Sequence, residues 1–345
     1  MSTSMLDGEA RVLAATAAAP TAPPSALETG RRLVTADLAA VETKLAELLD
    51  SEVEAIPQVV GHLAFAAGKR FRPLVTLLAA AAVGFEDDAR RTVAAVGELL
   101  HTATLLHDDV VDGGAFRRGR PAARVVFGNG LAVLSGDFCL ARALEAMAAL
   151  GRIEAMRTMA HMVARMAEGE VAQLALAGRF DVDVARYYAV IDRKTAALIG
   201  WCSQIAGLAE PRFRGPLETY GLELGYAFQI ADDVLDFASG VGVTGKARGQ
   251  DFRDGKMTLP LLLACRHDAA LARSVERALS GRPPIDETVA GAVVEAVASS
   301  PALDRARAIA AEHAEKAVAA LAVVPPGPAR AALEDLTDYV VRRQR

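Results

Sequence analysis

The stretch LLHDDVVDGGAFRRGRP, residues 105–121, interrupts an apolar, alanine-rich run with three aspartates within five positions and then two adjacent arginines. On an α-helix of about 3.6 residues per turn, Asp108 and Asp112 lie on the same side, where like charges repel each other and need a counter-charge. The stretch therefore predicts an apolar helix whose end binds cations.

The same DDxxD spacing recurs in FQIADDVLDF, residues 228–237. Together the two clusters contain six carboxylates: Asp108, Asp109, Asp112, Asp232, Asp233 and Asp236. Oxygen ligands favour a hard ion such as Mg²⁺, which keeps several waters and is usually completed by substrate phosphates. One DDxxD alone is equally compatible with a solvated helix end. Two copies among Leu, Ile, Val and Phe favour a diphosphate held through metal ions between the clusters.

The composition predicts an all-α protein. Of the 345 residues, 52% are hydrophobic and only 5% are aromatic, which favours helices over a β-rich architecture and suffices for one large core or two smaller ones. From Glu28 onward, apolar residues recur every three or four positions, which predicts a first amphipathic helix. Further helices are expected near 57–67, 71–84, 88–112, 130–150, 153–177, 183–208, 215–238, 257–266, 269–279, 286–297, 301–322 and 327–342.

Short Gly- or Pro-bearing breaks separate these stretches, and no long linker divides them. We therefore expect one helical domain over residues 28–345. Residues 1–27 are rich in Ala, Pro, Ser and Thr and are expected to form a flexible tail, while Asp7 and Glu9 argue against a transit peptide.

Charge, cysteines and hydropathy exclude several classes of protein. The formal net charge is −5 and no long basic run occurs, so nucleic acid is not an expected partner. The three cysteines are far apart and form no CxxC pair, which indicates reduced thiols in a cytoplasmic protein. Apolar runs stay below the roughly 18 residues that a membrane span needs, so at most a loose membrane association is expected.

Basic residues near the two clusters are candidates for direct phosphate contacts. The segment GKRFRP, residues 68–73, contains Lys69 and Arg72, and further candidates are Arg117, Arg118, Lys194, Lys246 and Lys256. Arginine binds phosphate through its planar fork, and lysine acts as a compact charge. Each one taken singly is also compatible with a solvated surface residue. His101, before the first cluster, can donate a hydrogen bond to a phosphate, although a structural role is equally compatible with its position.

Several motifs of the sequence resemble those of one known family. Seven motifs follow one another along the chain: GKRFRP, HTATLLHDDVVD, RRGRP, EGEVAQL, KTAAL, FQIADDVLDF and GKMTLP. In this order they resemble the trans-prenyl diphosphate synthases, most closely the long-chain polyprenyl members of the octaprenyl diphosphate synthase type. The resemblance covers roughly residues 28–345. It implies an isoprenoid synthase-type helical bundle around a deep central cavity, usually assembled as a homodimer.

The resemblance also implies roles for individual residues. Asp108, Asp112 and Asp232 match the direct magnesium ligands, and Asp109, Asp233, Asp236 and Asp251 match carboxylates that support them. Isopentenyl diphosphate would be bound by Lys69, Arg72, His101 and Arg118. The allylic diphosphate would be bound by Arg117, Lys194, Lys246 and Lys256. Thr195 and Gln229 match polar groups near the developing carbocation, so Lys194, Thr195 and Gln229 are the candidate catalytic residues.

Product length is expected to depend on the residues below the first cluster. Ala103 and Thr104 stand five and four positions before Asp108, where short-chain members of the family carry bulky aromatic residues. A growing prenyl chain would pass these small side chains, so we expect a product longer than farnesyl. Deeper on the same face, Leu99, Leu100 and Val96 either narrow the cavity or only pack the core.

Three rival functions remain open at the level of sequence. A class I terpene cyclase also ionises a prenyl diphosphate but does not need the isopentenyl pocket, and its second metal motif normally differs from DDVLD. A metal-dependent phosphohydrolase built on His107 and Asp108, with His62 or His101, leaves the second cluster unexplained. A non-catalytic subunit of a heteromeric synthase generally lacks one of the two clusters.

Overall fold

The computed structural model describes residues 25–64, 70–117, 119–238, 248–281 and 285–342. These residues form seventeen α-helices and one short antiparallel hairpin, so the predicted all-α class is confirmed. The helices are α1 (Ala26–Leu33), α2 (Thr35–Leu49), α3 (Ala55–Ala64), α4 (Phe71–Ala82), α5 (Ala89–Val111), α6 (Ala123–Phe127), α7 (Asn129–Ala149), α8 (Ile153–Leu176), α9 (Val184–Ile191), α10 (Ala197–Ser203), α11 (Arg214–Ala238), α12 (Gln250–Arg253), α13 (Leu259–His267), α14 (Ala269–Leu279), α15 (Glu287–Ala298), α16 (Ala302–Ala320) and α17 (Pro328–Arg342).

The hairpin pairs β1 (Phe116–Arg117) with β2 (Arg120–Pro121) directly after the first aspartate cluster. Neither the hairpin nor α6 was predicted, because two-residue strands and a five-residue helix carry too little periodicity to be recognised. Between α9 and α10 the chain forms a π-helical turn, Asp192–Ala196, where the sequence predicts one continuous helix over 183–208. A 3₁₀ turn, Gln204–Leu208, follows α10.

The amino-terminal helical region begins at a cap that sequence periodicity did not show. The Ser25 hydroxyl accepts a hydrogen bond from the Glu28 backbone N–H, and the Glu28 carboxylate accepts one from the Ser25 backbone N–H at 2.8 Å. This reciprocal pair is a capping box, which satisfies two N–H groups at the helix start. The predicted first helix is divided at Val34 into α1 and α2.

The interior consists of two clusters of buried apolar side chains, which α11 joins. Leu217 and Leu224, in its first half, belong to a cluster formed mainly with α2, α4, α5, α7, α8, α10 and α17. Val234 and Phe237, in its second half, belong to a cluster formed with α9, α13, α14, α15 and α16. This placement buries eleven of the 25 residues of α11 and supports the aspartates near its carboxyl end.

The other aspartate-bearing helix, α5, is also buried along much of its length. Ala94, Ala95 and Val96 are fully buried, and small side chains of this kind let α4 and α7 pack closely against it. The three cysteines are free and buried, as their number and spacing predict. Across the described ranges, no helix is both long and apolar enough to cross a membrane.

Candidate active site

One cavity of about 630 Å³ lies where the carboxyl ends of α5 and α8 meet α9, the π-helical turn, α11 and the segment 250–262. Its walls combine carboxylates with cations. The carboxylates are Asp108, Asp109, Asp112, Asp181, Asp183, Asp233, Asp251 and Asp254, and the cations are Arg117, Arg179, Arg186, Lys194 and Lys256. Apolar walls are contributed by Leu176, Val190, Ile191, Met257 and Leu262. This combination suits an anionic head group bonded to an apolar chain.

The first aspartate cluster places its members in different environments. Burial, opposed by the charge of Lys194 and reinforced by the charges of Glu170 and Asp112, raises the pKa of Asp108 to about 6. The Asp109 side chain is only 1% exposed, and its Oδ1 accepts hydrogen bonds from Arg117 Nε at 2.8 Å and Nη2 at 2.7 Å. Asp109 thereby anchors the β1 strand of the hairpin. Arg117, expected at the allylic diphosphate, lines the cavity while paired with Asp109.

Asp112 lies at the carboxyl end of α5, and its Oδ2 is 3.3 Å from Lys256 Nζ on the opposite side of the cavity. Burial lowers the pKa of Lys256, but the negative charges of Asp112, Asp251 and Asp254 outweigh burial and leave it raised. Lys256 therefore stays charged between carboxylates, where an anionic ligand can bind it. The ion pair connects the first cluster with the segment that follows the second.

In the second cluster, Asp233 is the buried member. Its Oδ2 accepts a hydrogen bond from the Tyr187 hydroxyl at 2.6 Å, and its Oδ1 accepts one from Gln229 Nε2 at 2.9 Å. Gln229 Oε1 in turn accepts a hydrogen bond from the Thr195 hydroxyl at 2.8 Å. Burial and the nearby Asp251 raise the pKa of Asp233 well above its ordinary value. The chain of contacts fixes the predicted catalytic residues Thr195 and Gln229 relative to the cluster.

Asp236 receives backbone hydrogen bonds from the start of α12. Its two carboxylate oxygens accept from the N–H groups of Gln250 at 3.1 Å and Asp251 at 3.2 Å. Asp236 therefore connects α11 to the segment that carries Asp251 and Lys256. Asp232 is half-buried on α11, and neither Asp232 nor Asp236 lines the cavity described above.

Lys194 extends from the π-helical turn toward the first cluster. Its Nζ lies 3.7 Å from Asp108 Oδ2, 2.5 Å from Glu170 Oε2 and 2.7 Å from Gln173 Oε1. Glu170 and Gln173 lie in EGEVAQL on α8, three positions apart and thus on one face of the helix. The sequence prediction did not assign a role to Glu170, Gln173 or Tyr187. The helical spacing of Glu170 and Gln173 could have indicated them, whereas nothing in the sequence separates Tyr187 from other aromatic residues.

The segment before α4 contains an ion-pair anchor. Arg70 adopts a left-handed backbone conformation with φ 45° and binds both carboxylate oxygens of Glu42, at 2.6 and 2.8 Å. It also contacts Glu98 at 3.1 Å, one helical turn before His101 on α5. Phe71 contacts the ring of Phe228, which precedes Gln229. These contacts bring the start of α4, with Arg72, next to α5 and α11.

The remaining predicted residues lie either outside the described residues or outside the cavity. Lys69, Arg118 and Lys246 lie outside the described residues. Ala103 is buried, with 4% exposure, and Thr104 donates a hydrogen bond to the His101 carbonyl at 2.8 Å. Neither Ala103 nor Thr104 lines the 630 Å³ cavity.

His62 and His107, two of the histidines considered for a phosphohydrolase centre, contact separate parts of the chain. His62 Nε2 contacts the Pro121 carbonyl at 2.7 Å, whereas His107 Nε2 lies 3.1 Å from the Val133 carbonyl and 3.2 Å from Asp137. Within the described ranges, no three His, Cys, Asp or Glu side chains come together as the ligands of one metal ion would. His62 and His107 are therefore held in separate structural contacts.

The donor set can still be tested for its fit to Mg²⁺. This ion is commonly held by one or two carboxylates together with substrate phosphates and waters, not by a complete protein cage. Asp108 and Asp112, one helical turn apart at the cavity, are oxygen donors of this kind. The carboxylates therefore fit a cation that arrives with an anionic substrate.

Comparisons with known proteins show which family the chain resembles. The sequence profile of the family described as "Polyprenyl synthetase" matches residues 53–297. The chain is 40% identical over 326 residues to octaprenyl diphosphate synthase of Escherichia coli (strain K12), covering 92% of this chain and 99% of that protein. It is 36% identical over 325 residues to nonaprenyl diphosphate synthase of Mycobacterium tuberculosis, covering 92% and 96% respectively.

Solved structures agree with these relatives. A polyprenyl synthase from Caulobacter crescentus CB15, complexed with calcium and isoprenyl diphosphate, superposes with a TM-score of 0.87 at 41% identity and covers 92% of this chain and 98% of its own. A decaprenyl diphosphate synthase from Rhodobacter capsulatus superposes with a TM-score of 0.86 at 37% identity, with coverages of 92% and 99%. The similarity thus extends over nearly the whole of each relative.

Proposed function

The chain belongs to the polyprenyl synthetase family, and from this premise we propose that it condenses isopentenyl diphosphate head-to-tail with an allylic diphosphate, using Mg²⁺. The product is an all-trans polyprenyl diphosphate longer than farnesyl. The observation that carries the proposal is that both aspartate-bearing helices end at one mixed polar and apolar cavity, with Lys194 and Lys256 beside the carboxylates. Relatives named octaprenyl and nonaprenyl diphosphate synthases support the long product.

The allylic diphosphate would bind between the clusters. Lys194 and Lys256 face carboxylates that would bind Mg²⁺, so the phosphate oxygens and metal ions could replace the present ion pairs with equivalent charge contacts. Arg117 reaches the same cavity, and Lys246 is assigned by the resemblance alone. Bound here, Mg²⁺ would supply positive charge that stabilises the leaving diphosphate.

Bond breaking and bond making follow from this arrangement. The allylic carbon–oxygen bond ionises as Lys194, Lys256 and Arg117 stabilise the charge that develops on the diphosphate. Thr195 and Gln229, connected by a hydrogen bond, present oxygens near the resulting allylic cation. The double bond of isopentenyl diphosphate then attacks the cation, and the released diphosphate accepts the proton that is lost. The apolar walls exclude water, which would otherwise react with the cation.

Isopentenyl diphosphate would bind at the start of α4, with Lys69, Arg72, His101 and Arg118 contacting its phosphates. The contact between Phe71 and Phe228 supports this site, because it holds that segment against α11 beside the catalytic Gln229. Arg70, paired with Glu42 and Glu98, supports the local backbone without needing to contact substrate.

We also propose a homodimer. Large apolar side chains are exposed on α6, the first turns of α7 and the last turns of α8: Val125, Val126, Leu131, Leu134, Val171 and Leu174. Because α7 and α8 are consecutive and contact each other, the end of α8 returns toward the start of α7. Exposed apolar surface of this extent usually marks an interaction site, and a second copy would cover it.

For the cellular location we propose the cytoplasm, which the free, buried cysteines support. The proposed substrates are water-soluble, whereas a long prenyl product is apolar and must be transferred to a membrane. A loose association with the bilayer would serve that transfer.

The test is a product analysis of the purified chain. It is incubated with isotope-labelled isopentenyl diphosphate, with or without Mg²⁺, and with dimethylallyl, geranyl or farnesyl diphosphate in separate reactions. A Mg²⁺-dependent series ending in one long prenyl diphosphate is expected. Cyclic hydrocarbons would instead identify a terpene cyclase, and absence of any product from the chain alone would identify a subunit that needs a partner.

A further inference from the structure

The candidate catalytic residues Lys194 and Thr195 lie within the π-helical turn Asp192–Ala196. A π turn widens the helix by one residue and is less favourable than the α-helical path, so it persists only where surrounding contacts stabilise it. Those contacts determine where the lysine and threonine side chains point. They come from α8 on one side and α11 on the other.

Each neighbouring helix contributes a glycine at the point of closest approach. A β-carbon added to Gly169 of α8 would lie 2.7 Å from Arg193 Cβ and 2.9 Å from the Lys194 backbone nitrogen. A β-carbon added to Gly225 of α11 would lie 2.5 Å from Ala196 Cα. These separations are too short for any larger residue, so both glycines are required for the turn to occupy its present position.

Each helix also contributes a polar group that holds the first residue of the turn. Arg165 of α8, one helical turn before Gly169, binds Asp192 Oδ2 at 2.6 Å. The Tyr226 hydroxyl, next to Gly225 on α11, donates a hydrogen bond to Asp192 Oδ1 at 2.6 Å. The Tyr226 ring is itself packed against His313 and Tyr188, with ring centroids 5.1 and 5.8 Å away. Asp192 is thus held from two directions, by an ion pair from α8 and by a hydrogen bond from a packed tyrosine of α11.

We infer that Asp192, Arg165 and Tyr226, together with Gly169 and Gly225, are positioning residues that hold the π-helical turn so that Lys194 and Thr195 reach their sites. The inference rests on the proposed function, which makes Lys194 and Thr195 catalytic. The hydrogen bond from Thr195 to Gln229 is 2.8 Å long, so a displacement of about 1 Å would break it. Displacements of this size can cost up to about 100-fold in rate.

The first experiment removes the Tyr226 hydroxyl. Tyr226→Phe keeps the ring, and we expect kcat for prenyl transfer to fall about tenfold while KM for isopentenyl diphosphate changes less than twofold. Asp192→Asn should give a similar split. The control is Tyr220→Phe, which removes a buried hydroxyl on the same helix that donates to the Leu333 carbonyl at 2.9 Å and has no part in the turn. It should lower Tm with kcat unchanged.

The second experiment displaces the turn by one methyl group. Gly225→Ala should reduce kcat more than Tyr226→Phe, whereas Gly215→Ala, on the same helix with nothing within 4 Å of the added carbon, should leave it unchanged. Trp201, the single tryptophan, lies on α10 directly after the turn and is buried. Its fluorescence emission should therefore change in Gly225→Ala and Asp192→Asn but not in Gly215→Ala.

The outcomes separate this inference from the proposed function. If the wild-type chain transfers prenyl groups but Tyr226→Phe and Asp192→Asn keep its kcat, the inference is wrong. If the wild-type chain forms no prenyl diphosphate, the proposed function is wrong, and Trp201 emission decides whether these residues position the turn. Unchanged emission in Asp192→Asn would then overturn the inference, including when Gly225→Ala fails to fold.

Discussion

The second aspartate of each cluster is the one that the protein itself buries and binds. Asp109 is held by Arg117, and Asp233 is held by Tyr187 and Gln229. Both are almost fully buried, with 1% and 2% exposure. The repeated DDxxD spacing thus combines an inward-facing carboxylate with flanking carboxylates. This division supports our proposal that Asp108 and Asp112 contact the metal, whereas Asp109 orients the hairpin that follows.

The two roles can be separated by comparing Asp108→Asn with Asp109→Asn. Loss of the Asp108 charge should lower kcat at least about 100-fold and raise the Mg²⁺ concentration needed for half-maximal activity. Asp109→Asn should instead cost about 1–3 kcal/mol of unfolding free energy, because Arg117 loses a charged partner. Mg²⁺ titrations of activity and urea denaturation of both variants measure this. An equal Mg²⁺ requirement in the two variants would contradict the division of roles.

Ala103 is the residue at which product length should be most easily changed. It lies five residues before Asp108 on α5, or about 7.5 Å deeper along the helix. A Phe side chain there should block elongation and shorten the product, which mass spectrometry of the prenyl diphosphates would show.

Ala103 is buried, so the added volume also costs about 1–3 kcal/mol of stability. Ala103→Val, with less added volume, serves as the graded control and should shorten the product less. Products of unchanged length from a folded Ala103→Phe enzyme would show that the prenyl chain does not pass this residue.

Among the helices, α5 carries the first cluster at its carboxyl end and is held to α2 at its amino-terminal end. At its amino-terminal end, Arg90 and Arg91 both bind Asp37 of α2, with the Arg91 contact at 2.6 Å. Burial alone would raise the pKa of Asp37, but the hydrogen bonds from the two arginines outweigh burial and hold its pKa below the ordinary value of 3.8. The carboxylate form is therefore favoured in the folded protein, and this interaction stabilises the pairing of α2 with α5.

Asp37→Asn should lower the free energy of unfolding by about 1–3 kcal/mol at pH 7, as loss of hydrogen bonds to charged groups does. A carboxyl group whose pKa is lower in the folded state contributes stability above its unfolded pKa and loses it as the pH falls through the folded value. The difference between wild type and Asp37→Asn should therefore disappear well below pH 3.8. Urea denaturation across this pH range tests the prediction, with Asp50→Asn, at the exposed end of α2, as the control. A difference independent of pH would contradict it.

For the whole molecule, the central feature is that α11 passes through both apolar clusters and brings the second aspartate cluster to the first. At the surface, large apolar residues are exposed on α6, α7 and α8. If a second copy covers them, each subunit's α7 lies between its own α5 and the partner. The wall beside the first cluster would then be supported by the dimer.

Leu134→Glu should convert the proposed dimer into monomers, because a buried, unpaired carboxylate at an interface is strongly unfavourable. Ile153→Glu is the matched control: Ile153 is 83% exposed at the other end of α8, about 27 Å along the helix from Val171. Light scattering after size-exclusion chromatography should give a halved mass for Leu134→Glu only. A wild-type protein that is already monomeric would refute the dimer.

The sequence by itself determined the all-α class, most helix positions, the two aspartate clusters and the family. These features depend on local periodicity and on short motifs, which can be read without knowing which helices are neighbours. The roles of Lys69, Arg118 and Lys246, which lie outside the described residues, and the single domain over 28–345 stay predictions.

Only the tertiary structure decided which side chains contact each other. Tyr187 and Asp233 are far apart in the chain, and so are Lys194 and Glu170, yet both pairs are in hydrogen-bonding contact. The π-helical turn likewise depends on glycines of α8 and α11 and was predicted as ordinary helix. The physical reason is that such contacts are stabilised by packing between segments that are distant in the chain. The local sequence pattern around each residue does not indicate that packing.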